Sequence, residues 1–281
     1  MERPILFAAA LAVFALPAAA YDCAGFAENH AMSRAVQGKD DAALLALART
    51  HAENSCRLSI RQFHSDGDPF PGNSSRELLD EAVRLTLPKT FDFVYDRYER
   101  EDPASLARLL DPARDWGYAG SLLSHAIVNP DSDSDEAAGI VRRLFAGGHG
   151  EALWSSVESR GRVCSDPDCG KGALHLAMTR ARSASVVDAV IQESRRRGVD
   201  PRAYRTPFGN SLVHLAAVNA TGHGVKITQR MVEVHGVDGA AVSPAGETPL
   251  AFASRNAVVY GMERDLAPAL NYLVRRFPDK R

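Results

Sequence analysis

This chain of 281 residues has almost no excess of one sign of charge over the other. Lys and Arg total 33 against 35 Asp and Glu, for a formal net charge of −2. That balance excludes a strongly basic nucleic-acid binder and an acidic disordered tail. Cysteine is scarce. Four in 281 residues cannot build a disulfide scaffold, so an apolar core must hold the fold. Long apolar runs are also missing after the first twenty residues, which leaves no later bilayer-spanning segment. No Gly/Ser-rich linker marks a domain boundary. No GxSxG elbow, SxxK, HExxH or phosphate-loop motif is present.

The first twenty residues have the layout of a secretory leader. Arg3 supplies a basic start, Ile5 through Leu16 are unbroken apolar residues, Pro17 breaks the run, and Ala18-Ala19-Ala20 offers small residues for cleavage. As a helix the run reaches only about 18 Å, short of a hydrocarbon core of about 30 Å. The expectation is cleavage after Ala20 and a mature protein, starting near Tyr21, outside the cytoplasm. In such a compartment an even number of cysteines points to disulfides. Cys164 and Cys169 enclose only Ser-Asp-Pro-Asp and can meet locally, leaving Cys23 with Cys56. Closing the longer loop would contribute about 3–4 kcal/mol in the chain-entropy picture. A zinc site is the rival reading, but it needs two closely spaced ligand pairs where this chain has one.

Three stretches in the second half overlay: Gly170-Lys171-Gly172-Ala173-Leu174-His175-Leu176-Ala177, Gly209-Asn210-Ser211-Leu212-Val213-His214-Leu215-Ala216, and Gly246-Glu247-Thr248-Pro249-Leu250-Ala251-Phe252-Ala253. Each opens a short helix. Each is followed by a second helical pattern, carried by Val187, Val190 and Ile191, by Ile227, Met231 and Val234, and by Leu266, Leu270 and Leu273. These spacings give one apolar face per helix. A Thr or Ser in the third place can cap the first helix, and Pro suits its first turn. A lone helix pair cannot bury its apolar face, so the pairs must stack.

The octets resemble the ankyrin repeat, G-x-T-P-L-H-x-A. Gly246 to Leu250 match it almost letter for letter, with Ala251 in place of the histidine that His175 and His214 supply in the other units. Upstream the pattern fades into Ser121-Leu122-Leu123-Ser124-His125-Ala126, followed by Ile140, Val141, Leu144 and Phe145. Earlier still, Leu78-Leu79-Asp80-Glu81-Ala82 is followed by Phe91, Val94, Tyr95 and Tyr98. The expected fold is an all-α, ankyrin-like helical solenoid with a diverged all-helical N-terminal half. It divides into a leader (1–20), a helical N-terminal region (21–118), a degenerate repeat with an inserted helix near His149 to Glu158 (119–165), and three repeats (166–281).

The resemblance implies a protein partner and neither a shared active site, a cofactor nor a metal. His175 and His214 then bond backbone in adjoining loops. Ankyrin stacks bind through loop tips and the concave face of their first helices. On this chain those places hold Arg202, Tyr204, Arg205 and Phe208, extended by Arg180, Arg182, Arg255, Asn256 and Tyr260. Toxin neutralisation or escort of an exported protein fits such a chain, and so does a secreted effector. The reading from a different class is an exported enzyme with its site in residues 21–165, for which Asp80, Glu81, His125 and His149 are the first suspects. The acidic run Asp131 to Glu136 lacks the Gly and Glu of a calcium loop, and Ser134 or Asp135 reads as a helix cap.

Overall fold

The computed structural model describes residues 26–56, 58–62, 74–110, 122–128, 134–147, 172–206 and 208–278. The leader, Cys23, Cys164, Cys169, His149 and the expected inserted helix lie outside the described residues. Cys56 is bonded in a disulfide whose other sulfur also lies outside them.

Helices come in pairs: α1 (Phe26–Gln37) with α2 (Asp41–Glu53), α3 (Leu78–Arg84) with α4 (Pro88–Glu101), α6 (Leu122–Val128) with α7 (Asp135–Ala146), α8 (Ala173–Arg180) with α9 (Ala184–Arg196), α10 (Leu212–Ala217) with α11 (Gly224–Glu233), and α12 (Pro249–Tyr260) with α13 (Glu263–Arg276). Helix α5 (Pro103–Leu110) follows α4. A short antiparallel ribbon of β1 (Ser59–Gln62) and β2 (Ser74–Glu77) sets Ser59 opposite Glu77 and Gln62 opposite Ser74. The ribbon is an addition to the helical expectation.

The pairs stack in two rows. One row runs α3, α6, α8, α10, α12, and the other runs α2, α4, α7, α9, α11, α13, each helix touching the next. Local sequence sets the helix starts. Asp40, Ser134, Ser183 and Thr248 accept from backbone N–H groups that a helix start leaves unpaired, and Pro88 and Pro249 occupy first turns. Gly261 ends α12 in the left-handed conformation, its N–H on the Ala257 carbonyl.

Leu79, Leu123, Leu174, Val213 and Leu250 are each the second residue of their helix in the first row. Three places further along sit Ala82, Ala126, Ala177, Ala216 and Ala253, all buried. A methyl group there lets neighbouring helices approach closely. The three stretches legible as repeats and the two diverged ones therefore share one register. Their apolar residues merge into a single core running from Met32 in α1 to Leu273 in α13. One expectation fails in the second row. Helix α11 ends at Glu233, so Val234 is its C-cap and lies 59% exposed instead of joining Ile227 and Met231 inside.

Candidate protein-binding surface

The loop before α10 ends in a tight tip from Thr206 to Asn210. Thr206 N–H donates to the Asn210 carbonyl (2.9 Å), Gly209 N–H to the Thr206 carbonyl (2.8 Å), and Asn210 N–H to Thr206 Oγ1 (3.1 Å). The loop before α12 repeats this from Ser243 to Glu247, with the same bonds at 2.9, 2.9 and 3.3 Å. Gly209 and Gly246 hold φ of 78° and 77°, where a side chain is strained. Gly209 also lies against Pro244, so a Cβ would collide with the neighbouring tip. The tips are thus braced within themselves and against each other.

Phe208 projects from the first tip, 82% exposed. Tyr204 instead packs half-buried against the core, and burial pushes its phenol pKa up. Arg205 is exposed and donates through Nη1 to the Arg202 and Tyr204 carbonyls (3.0 and 2.7 Å). Arg202 donates through Nε to the His235 carbonyl (3.2 Å), bridging to the next loop. Arg255 reaches back from α12 to clasp Glu247 through Nε and Nη2 (2.7 and 3.0 Å) and lies over the Phe252 ring. That guanidinium holds the Glu247 carboxyl below its ordinary pKa. Asn256 donates to the Phe252 carbonyl of its own helix.

Four of the nine nominated residues, Arg202, Tyr204, Arg205 and Phe208, lie in the loop before α10. Asn219 Nδ2 donates to the Met178 and Ala181 carbonyls (2.9 and 3.0 Å), which brings the C-terminal ends of α8 and α10 together. The tip contact of Gly209 with Pro244 marks the opposite end. Arg180 is the last residue of α8, and both it and Arg182 are exposed. Tyr260 closes α12 and is 62% exposed. Arg202, Tyr204, Arg205 and Phe208 remain together, and Glu247 and Phe252 join the tip region without having been singled out from the sequence.

The position of the motif histidine carries the ties between pairs. His214 Nδ1 accepts from the Ser211 N–H (3.2 Å) and lies 2.8 Å from the Ser211 hydroxyl, and Nε2 donates to the Glu247 carbonyl in the next tip (3.0 Å). Burial lowers its pKa, so the neutral ring is favoured. His175 is buried at the same position of α8. In α3 that position holds Asp80, which meets His125 Nδ1 of α6 at 2.9 Å. Two residues nominated for catalysis are therefore neighbours. The His125 Nε2 atom, however, is closed off from solvent. Glu81 is buried beside Arg84, which bonds it through Nε (3.1 Å). This arrangement ties α3 to α6 by a side-chain pair where α10 and α12 use a backbone carbonyl.

A further tie was invisible in the sequence because its members lie more than forty residues apart. Asp188 of α9 accepts from His235 Nε2 (2.8 Å) and Arg230 Nε (2.8 and 2.7 Å), and Arg195 bonds His235 Nδ1 (3.3 Å). Burial pushes the Asp188 carboxyl pKa up, but the bonds from His235 and Arg230 outweigh it and hold the pKa below the ordinary value. Arg196 and Arg197 pair with Glu193. The arginine triplet is thus spent on its own helix and the next loop.

No family profile matches the chain. No curated protein matches it. Among solved structures, the ankyrin repeat domain of Bcl-3 is similar at 19% identity, over 87% of this chain and 85% of that one, with a TM-score of 0.32. The shared register of five first-row helices, the braced tips and the His214 tie make the described residues a helical solenoid of stacked helix pairs with one short β-ribbon.

Proposed function

We propose that the chain is an exported, non-enzymatic scaffold that captures another protein at the tips before α10 and α12. On this reading residues 1–20 direct it to the periplasm or beyond, Cys23–Cys56 and Cys164–Cys169 close there, and capture either neutralises a toxin or escorts an exported protein. Phe208 supports the binding role most directly. An exposed aromatic ring gains nothing from water, yet this one is held outward by a hydrogen-bonded tip with Arg205 beside it. Aromatic and guanidinium groups on a rigid mount are what interface anchors are made of.

The experiment places a photo-crosslinking residue at position 208 in the native host, with one at Lys226, exposed on α11, as control. A single protein trapped from 208 and not from 226 is expected, and its identity separates neutralisation from escort. Equal trapping from both positions would count against the tip. Export is checked by fractionation and N-terminal sequencing, where a chain retaining Met1 in the cytoplasm would refute it. Non-reducing peptide maps test the two disulfides.

A further inference from the structure

The two tips share one backbone and differ in side chains. Thr206 to Asn210 and Ser243 to Glu247 close through the same three hydrogen bonds, and Gly209 and Gly246 hold the same positive φ. Counted from these bonds, Phe208 corresponds to Ala245 and Arg205 to Val242. The second tip therefore closes with two small apolar residues in those places, so neither the ring nor the guanidinium is required to build a tip. Both are exposed nonetheless. Gly209 lies against Pro244, which joins the tips into one surface, and Val242, Pro244 and Ala245 of the second tip are exposed as well. The result is an apolar ledge with Arg205 at its edge.

Arg205 is held in place without being neutralised. It donates through Nη1 to the Arg202 and Tyr204 carbonyls (3.0 and 2.7 Å), and it has no ion-pair partner among the described residues. The acids of these two loops are already engaged. Glu247 is clasped by Arg255, Asp200 Oδ1 accepts the Arg202 N–H (3.0 Å), and Asp238 Oδ1 accepts the Ala240 N–H (2.8 Å). A partner that covers Phe208 also strips water from Arg205. A guanidinium buried without an acceptor is costly, and a carboxylate matches its remaining N–H groups in geometry and charge. We infer that the partner meets this ledge with an acidic segment of its chain, setting a carboxylate on Arg205 and an apolar side chain on Phe208. The inference rests on the tips being the binding site, as proposed above, and names the chemistry they select. A neutral or basic segment would leave Arg205 covered and unpaired, which is discrimination against the wrong partner.

Fluorescence anisotropy of the full chain with three dye-labelled peptides tests this, each peptide a single Trp flanked on both sides by Asp, by Ser or by Lys. The Asp peptide is expected to bind about tenfold tighter than the Ser peptide, and the Lys peptide more weakly than either. Arg205→Glu should reverse the order of the Asp and Lys peptides. Phe208→Ala should weaken the Asp and Ser peptides by the same factor. Lys226→Glu makes the same charge reversal at an exposed position of α11 and should leave the order unchanged. All three substituted positions are exposed, and matching thermal melts verify that the variants fold. Equal binding of the Asp and Ser peptides, binding by none of the three, or an Asp preference that survives Arg205→Glu would overturn the inference. The photo-crosslink at position 208 separates it from the reading beneath it. A protein trapped there through a segment without Asp or Glu overturns the inference alone, whereas no protein trapped there overturns the tip as the binding site.

Discussion

In the first row the C-terminal and N-terminal pairs solve the same stacking problem with different bonds. In the second row both halves use side-chain pairs, Asp188 with His235 and Arg230 between α9 and α11 among them. Between α10 and α12 one side chain, His214, holds a backbone carbonyl, and Asn219 does the same for the ends of α8 and α10. Between α3 and α6 the tie is Asp80 to His125. Between α4 and α7 it is Arg143, bonded to Asp96 and Glu99 (2.7 and 3.0 Å) and lying over the Tyr95 ring. A bond to backbone needs one suitable residue and leaves a recurring letter in the sequence. A bond between side chains needs two residues chosen together, and many pairs serve, so no motif accumulates. The N-terminal half has kept the register of the repeat while losing its spelling.

The largest effects should come from testing whether that register is shared. Leu123→Ala, in the fully buried second position of α6, is expected to lower unfolding free energy by about 2–5 kcal/mol. Leu250→Ala, at a half-buried position, should lower it by only about 1 kcal/mol. Urea titrations compare them, and equal losses would mean the two positions are not equivalent sites in differently covered pairs. Next in size is the buried pair. Asp80→Ala strands a His125 donor and should lower stability by about 1–3 kcal/mol, with Asp80→Asn recovering part of the loss. A negligible loss for Asp80→Ala would remove the tie.

The two kinds of tie should also separate by pH. Burial lowers the folded-state pKa of His214 beneath the ordinary histidine value of 6.5. The unfolded chain therefore binds the proton first. The His214 contribution is fully present above about pH 6.5 and diminishes as the pH falls below it. Thermal midpoints of the natural chain and His214→Asn measured from about pH 7 to about pH 5 should converge on acidification. A difference that widens instead would reverse the assigned sign. The smallest effect belongs to the tip. Phe208→Ala and Arg205→Ala should each change stability by no more than about 0.5 kcal/mol, and Arg205→Ala should weaken the crosslink from position 208.

What could be read beforehand follows the same division. The octets around Leu174, Val213 and Leu250 announced their helices, and Thr248 with Pro249 announced the start of α12. Ser134 capping α7 was also legible. The sequence did not show that Val234 falls just past the end of α11, because an apolar residue at helical spacing looks the same on either side of a helix end. The ribbon of β1 and β2 escaped because Ser59-Ile60-Arg61-Gln62 and Ser74-Ser75-Arg76-Glu77 lack strand-forming alternation. Of the binding candidates, residues within one loop stayed together.

The central claim is that α3, α6, α8, α10 and α12 are successive members of one row. A crystal structure of the chain tests it through one set of distances, those linking Leu79, Leu123, Leu174, Val213 and Leu250. Steps of about 8–10 Å from each to the next, the ordinary spacing of packed helices, are predicted. A structure in which Leu79 and Leu123 lie in a separately folded body, out of line with the other three, would contradict it.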